Sequence, residues 1–252
     1  MPFENNNDKI FPDLIAGRNA VNEAIKSGRE IEYIMVAKGA GGSVLPIISK
    51  AKQNGIVVKE MPKTKLDFKL PNVNHQGIAA VISSAEYADV SDIIEKANEM
   101  DNPLILVLDE IEDPHNLGAI IRTCEAAGVC GVIIPKRRSA GLNSTVAKVA
   151  CGALEYVPVA RVSNIAATLE KLKESGFWVY GADMDGEDVY STDITGKSCI
   201  VIGSEGHGIS RIVKDKCDVI VSLKMFGNIN SLNASVAAGI LIYEHVRQTS
   251  SK

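Results

Sequence analysis

Six short runs, mostly β-branched or aliphatic, set the architecture of the second half of this chain, at residues 104–108, 132–134, 157–159, 178–180, 199–202 and 219–221. Stretches with helical spacing lie between or after most of them, at residues 117–127, 144–150, 165–174, 209–216 and 232–246. A strand that is apolar on both faces must be covered on both faces, which is the condition of a parallel sheet flanked by helices. The reading is therefore an α/β domain with a parallel sheet. In such sheets ligands collect outside the carboxyl ends of the strands, so the loops that follow these runs are where chemistry is to be sought.

Three of those loops carry ordered motifs. After the run at 104–108 a polar loop leads to Asn116-Leu117-Gly118-Ala119-Ile120-Ile121-Arg122-Thr123, with Asn116 placed to cap a helix starting at Leu117. After the run at 199–202 comes Gly203-Ser204-Glu205-Gly206-His207-Gly208, three glycines around one carboxylate. Its spacing is not G-x-G-x-x-G, so the dinucleotide-binding fingerprint is missing. Glycines there let backbone amides approach a ligand. The third motif is Leu223-Lys224-Met225, then Gly227, then Ser231-Leu232-Asn233-Ala234-Ser235 opening a small-residue helix. Taken singly, each has a plain structural explanation: a capped helix, a glycine turn, an Asn/Ser cap.

Taken together and in this order, the three motifs resemble those of the SpoU family of RNA ribose 2'-O-methyltransferases, within the SPOUT superfamily, over residues 103–249. The resemblance implies a trefoil knot in the C-terminal segment, a homodimer, and S-adenosylmethionine as methyl donor. It implies that Arg122, Asn116, Glu205, Asn233 and Ser235 form the catalytic set. It further implies that Gly181, Ala182, Ile202, Gly203, Leu223, Met225, Ser231 and Leu232 hold the donor. The family usually has a proline where this chain has Lys224. A guanidinium is a poor proton acceptor, so the role expected of Arg122 is to clamp a phosphate and favour a developing alkoxide.

The first 85 residues read as a separate small α/β module, with helical spacing at 14–27 and 45–54 and strand-like runs at 31–36, 56–58 and 78–82. Ala16-Gly17-Arg18-Asn19-Ala20-Val21 and His75-Gln76-Gly77-Ile78 resemble the ribosomal-protein-like RNA-binding module that precedes the catalytic domain in one SpoU subgroup. Arg18 is the candidate RNA contact there, and Lys136, Arg137 and Arg138 are candidate phosphate contacts in the second half. His75 is expected to be structural. Residues 86–102, with six acidic side chains against one lysine, read as a linker carrying a short helix. The three parts are thus 1–85, 86–102 and 103–252, the last being the catalytic domain.

A net charge of −4 gives no general affinity for nucleic acid, so RNA binding is expected from local patches; the first 85 residues hold 11 basic against 8 acidic side chains. Five scattered cysteines without a C-x-x-C pair, and four histidines without ligand spacing, argue against a disulfide framework or a metal site. The opening residues lack a leader pattern and no run is long enough for a membrane span, so a soluble cytoplasmic protein is expected. The two-part layout resembles the SpoU subgroup that methylates a guanosine of 23S rRNA, and that resemblance implies structured RNA, such a guanosine in particular, as the substrate. The alternatives are a transfer RNA substrate, or a non-catalytic RNA-binding protein on the same fold. A nucleotide-dependent oxidoreductase would need the phosphate fingerprint that is missing.

Overall fold

The computed structural model describes residues 13–228 and 231–250; the opening residues read above for a leader lie outside that range. The chain divides into two compact units, one made of Met1–Glu86 with Gly141–Ser144, the other of Tyr87–Ala140 with Thr145–Lys252.

The first unit runs β1 (Leu14–Ala16), α1 (Arg18–Lys26), β2 (Ile31–Ala37), α2 (Val44–Gln53), β3 (Val57–Met61), α3 (Lys63–Lys69) and β4 (Ile78–Ile82). Its sheet has the order β1-β4-β2-β3. β4 lies antiparallel to both β1 and β2, while β2 and β3 are parallel. Alternation along β4 divides the core into two layers: Ile78, Ala80 and Ile82 pack with Val21, Ile25 and Ile47 from α1 and α2. Ala79 and Val81 face the other way, against Leu66 and Leu70 of the α3 segment. The helix expected over 14–27 is thus a strand followed by a helix. Leu14, Ile15 and Ala16 find ladder partners in β4, and Gly17 at φ 96° makes the turn between them. α3 was absent from the sequence reading, because its single fully buried leucine, Leu66, leaves no apolar stripe.

The second unit begins with α4 (Val90–Asn98), then β5 (Leu104–Leu108), α5 (Pro114–Ala126), β6 (Gly131–Pro135), α6 (Ser144–Ala150), β7 (Val159–Val162) and α7 (Ile165–Glu174). It continues with β8 (Trp178–Asp188), β9 (Ser198–Ile202), α8 (Arg211–Lys214), β10 (Val219–Ser222) and α9 (Ala234–Ser250). The sheet is β10-β8-β9-β5-β6-β7, and every pairing is parallel. One face buries Ile105, Val107, Ile133 and Val201 under α4 and α7; on the other, α5 packs beside α9.

The segment expected to be a linker is part of this unit. α4 carries a capping box between Asp89 and Asp92, and its Ile93, Ile94 and Ala97 are core residues. Ile93 takes the space that a side chain at Gly131 would need, since a Cβ there would fall 2.8 Å from it. Of the acidic residues that suggested a linker, Asp92 and Glu95 line the solvent side of this amphipathic helix, and Asp89 and Glu99 cap its ends. β7 starts two residues later than expected, after a 3-10 turn at Ala153–Glu155, and β8 extends eight residues past the expected end at Tyr180.

Candidate active site

The expected start of α5 was one turn late. Pro114 occupies its first position and Asp113 caps it, accepting the His115 N–H at 2.8 Å. Asn116 is therefore not a cap but a buried residue of the first turn, 8% exposed, and its side chain is free for tertiary contacts. Its Nδ2 donates to Glu205 Oε1 at 2.9 Å, and its Oδ1 accepts from Asn233 Nδ2 at 3.0 Å. The same Glu205 oxygen also accepts from Asn233 Nδ2 at 2.5 Å and from the Ala234 N–H at 3.2 Å. One carboxylate oxygen thus gathers donors from the first and third motifs.

Asn233 has a second task. Its Oδ1 accepts the N–H groups of Ser235 and Val236 at 2.9 and 3.3 Å and the Ser235 hydroxyl at 2.5 Å. It is the cap of α9 as well as a member of the polar cluster, and among the described residues Ser235 joins the cluster through it.

Glu205 is held in place by a tight hairpin. Ser204 and Gly208 exchange backbone hydrogen bonds of 3.0 and 2.8 Å, folding the loop back on the end of β9. At Gly203 a Cβ would fall 2.0 Å from the Gly208 carbonyl carbon, so this position must be glycine for the hairpin to close. Ser210 just beyond donates its N–H to the buried Asp109 Oδ2 at 2.8 Å, tying the hairpin to the end of β5.

Beside this cluster a cavity of about 760 Å³ opens at the carboxyl ends of β9 and β10 and against the middle of β8. Ala182, Ile202, Gly203, Leu223, Met225, Ser231, Leu232 and Glu205 all line it, so the second and third motifs converge as the spacing of the strands required. Lys224, in the place of the usual proline, lines it too. Gly181 does not: it lies inside β8, where a Cβ would meet the Cys217 Sγ at 2.7 Å, and its smallness serves packing between strands. Asp183 and His207 also line the cavity and were not singled out from the sequence. Asp183 lies one residue past Ala182 in an unexpectedly long β8 and pairs with Lys214 at 3.1 Å.

Arg122 stands apart. It is exposed, on the α5 face that carries Gly118 against α6, and its Nη1 lies 3.5 Å from the Cys151 Sγ. It is not among the residues that line the cavity. Lys136, Arg137 and Arg138 follow β6 and are exposed; Arg138 is paired with Glu110 at 2.9 Å, which holds its guanidinium pKa up and reduces its availability. In the first unit, Arg18 donates through Nη1 to Ser43 Oγ at 2.8 Å and through Nε to the Gln76 carbonyl at 3.4 Å. His75 is buried and structural: Nδ1 accepts the Gly77 N–H at 3.0 Å, and Nε2 meets Asp67 Oδ1 at 2.7 Å. Among the described residues no group of three or more His, Cys, Asp or Glu is arranged for a metal ion, and no helix is long and apolar enough to cross a membrane.

This arrangement, a parallel sheet with a donor-sized cavity at its strand ends and an Asn–Glu–Asn cluster beside it, is that of an RNA methyltransferase. The chain belongs to the SpoU rRNA Methylase family, whose profile matches residues 103–243. A second profile, RNA 2'-O ribose methyltransferase substrate binding, matches residues 14–88. A TrmH-family protein of Bacillus subtilis (strain 168), YacO, is 46% identical over 239 residues, covering 94% of this chain and 96% of its own. A TrmH-family protein of Staphylococcus aureus (strain COL) is 48% identical, covering 93% and 96%. Among solved structures, the SpoU methyltransferase AviRb from Streptomyces viridochromogenes, in complex with AdoMet, aligns with a TM-score of 0.61 at 23% identity, over 95% of this chain and 91% of its own. The TrmH/SpoU tRNA modifying enzyme of A. aeolicus aligns with a TM-score of 0.56 at 29% identity, over 64% of this chain and 80% of its own.

Proposed function

We propose that this enzyme methylates a ribose 2'-hydroxyl of structured RNA, a guanosine of 23S rRNA, with S-adenosylmethionine as donor. The observation that carries the reading is the junction of cavity and cluster at Glu205, which lines the one and anchors the other. The cavity fits the donor: its volume lies in the range of small-molecule sites, Ile202, Leu223, Met225 and Leu232 offer apolar walls for an adenine, and Asp183 and Glu205 offer carboxylates to a cationic ligand. When bound, S-adenosylmethionine supplies the activated methyl group.

The residues of the chain then do the positioning. Asn116 and Asn233, locked by Glu205, give a preorganised polar wall that orients the sugar without rearranging during reaction. Arg122 is exposed and meets a phosphate of the bound RNA, remaining cationic throughout. The hydroxyl proton leaves to a phosphate oxygen or to water. Lys136 and Arg137, exposed beyond β6, add phosphate contacts, and the first unit with Arg18 holds the RNA. A second copy of the chain covers α9, where Val236 and Tyr243 stand 48% and 50% exposed two turns apart. The knotted C-terminal segment implied by the resemblance belongs to the same proposal.

Mapping 2'-O-methyl groups in total RNA from a deletion strain tests the reading. Loss of one mark in 23S rRNA, restored by wild-type protein and not by Arg122→Ala, is the expected result. Loss of a transfer RNA mark instead would move the substrate to that class, and an unchanged map would refute the assignment. Sedimentation of the purified protein, expected at twice the chain mass and shifted to the monomer by Tyr243→Glu, tests the dimer.

A further inference from the structure

Within the first unit, and apart from the cavity at the strand ends of the second, a cleft of about 510 Å³ opens between the β2–α2 loop, α3 and the turn before β4. Arg18, Lys38 and Lys63 line it, against one carboxylate, Asp67. That carboxylate is engaged by His75 at 2.7 Å, whereas neither lysine makes an ion pair among the described residues. The wall between them is bare backbone: Gly39 and Gly41 line the cleft, and their N–H groups find no acceptor among the described residues. Unpaired cations and free amides around one small space are the donors that a phosphodiester accepts.

The next residue along α3 supplies a different chemistry. Phe68 follows Asp67 and is 86% exposed, while Leu66 and Leu70 on the other side of the helix are buried. A phenylalanine left in water on a helix that also shows Lys63, Lys65 and Lys69 is costly as mere surface, and fits a platform for an unstacked base.

We propose that this cleft and Phe68 form a binding site for unpaired RNA, with a phosphate held among Lys38, Lys63, Arg18 and the loop amides and a neighbouring base stacked on Phe68. The assignment rests on the reading of the protein as an RNA methyltransferase and names how its first unit grips the substrate: by a single-stranded loop or bulge, not by a duplex. Duplex RNA keeps its bases stacked internally and has none to offer to the ring.

The full-length protein is titrated, by fluorescence anisotropy, into labelled oligouridylate about 12 nucleotides long and into a blunt duplex of the same length. The single strand is expected to bind more tightly than the duplex. Phe68→Ala is expected to weaken single-strand binding by roughly 5- to 150-fold with an unchanged salt slope, and Phe68→Trp to retain it. Lys38→Ala/Lys63→Ala is expected to flatten the plot of log affinity against log salt by about 1.4. Equal affinity of Phe68→Ala and wild type, or duplex bound as tightly as the single strand, would overturn the site. Calorimetry of wild-type protein with S-adenosylmethionine reports separately on the second unit. Donor binding with an inert Phe68 sinks this inference alone, and no donor binding sinks the methyltransferase reading.

Discussion

Asn116 and Glu205, 89 positions apart in the chain, are joined by a hydrogen bond of 2.9 Å between Nδ2 and Oε1. The same oxygen takes Asn233 and the first amide of α9. Replacing Glu205 with alanine removes the acceptor of the Asn116 side-chain amide and of the Ala234 N–H, and leaves Asn233 Nδ2 with its bond to Asn116 Oδ1 alone. Methyl transfer to RNA, followed with a radiolabelled donor, is expected to fall by about 100-fold or more. Thermal unfolding is expected to show a loss of about 2 kcal/mol. A Glu205→Ala enzyme with near wild-type turnover would remove the cluster from the mechanism.

Two glycines in the same loop separate packing from mere composition. Gly203→Ala drives a methyl group to within 2.0 Å of backbone that cannot move without opening the hairpin. Donor affinity by calorimetry should be abolished, with stability reduced by about 3 kcal/mol. Gly206→Ala meets nothing within 4 Å and needs no unusual φ, so it should keep both.

Arg122 is exposed and carries no ion pair among the described residues, so its replacement should leave unfolding within about 0.5 kcal/mol of wild type. Arg122→Lys should nevertheless cut turnover by about 100-fold, since an ammonium cannot make a forked contact with phosphate. Unchanged donor binding alongside lost turnover in steady-state assays is the expected signature.

His245 is buried on α9, and its Nε2 has no partner among the described residues. Burial pushes its pKa below the ordinary 6.5, against a smaller opposing contribution from the Gly196 backbone. The native state therefore holds this ring neutral while the unfolded chain takes up a proton. The stability involved is fully present above pH 6.5 and is lost as pH falls from 6.5 toward the depressed native value. Melting temperatures between pH 5 and 7, compared in about half-unit steps, should decline less steeply in His245→Leu than in wild type. Parallel curves would show that another group sets the slope.

The sheet of the second unit was legible because its central strands β5, β6 and β9 are buried along almost their whole length, a pattern that water-facing segments do not keep. The cavity was legible from loop motifs at strand ends, where Gly203, Leu223 and Leu232 do meet. What escaped had specific physical causes. β1 is three residues long and takes its identity from pairing with β4, a partner more than sixty residues away that no local period announces. Asn116 resembled a cap because asparagine favours caps, yet Asp113 followed by Pro114 was the stronger start signal. Gly181 lies next to Ala182 inside β8, but a Cβ there would face Cys217, and one residue along a strand decides which face is served. Arg122 was already legible as standing off the Asn116 face, since it lies one turn beyond Gly118 on the same helix. Six residues along a helix turn a side chain well away from its predecessor, and the structure sets the two on different faces.

The helix that opens the second unit has a practical corollary for anyone dissecting this enzyme. Ile93, Ile94 and Ala97 share a core with Ile105, Val107, Cys130 and Ile133, and Ala88 adds a backbone bond to Val159 at 2.9 Å. A fragment cut at Pro103, where the family profile begins, would bare that greasy floor and leave Gly131 facing a void. Such a fragment should express as aggregate, while one begun at Tyr87 carries its own roof.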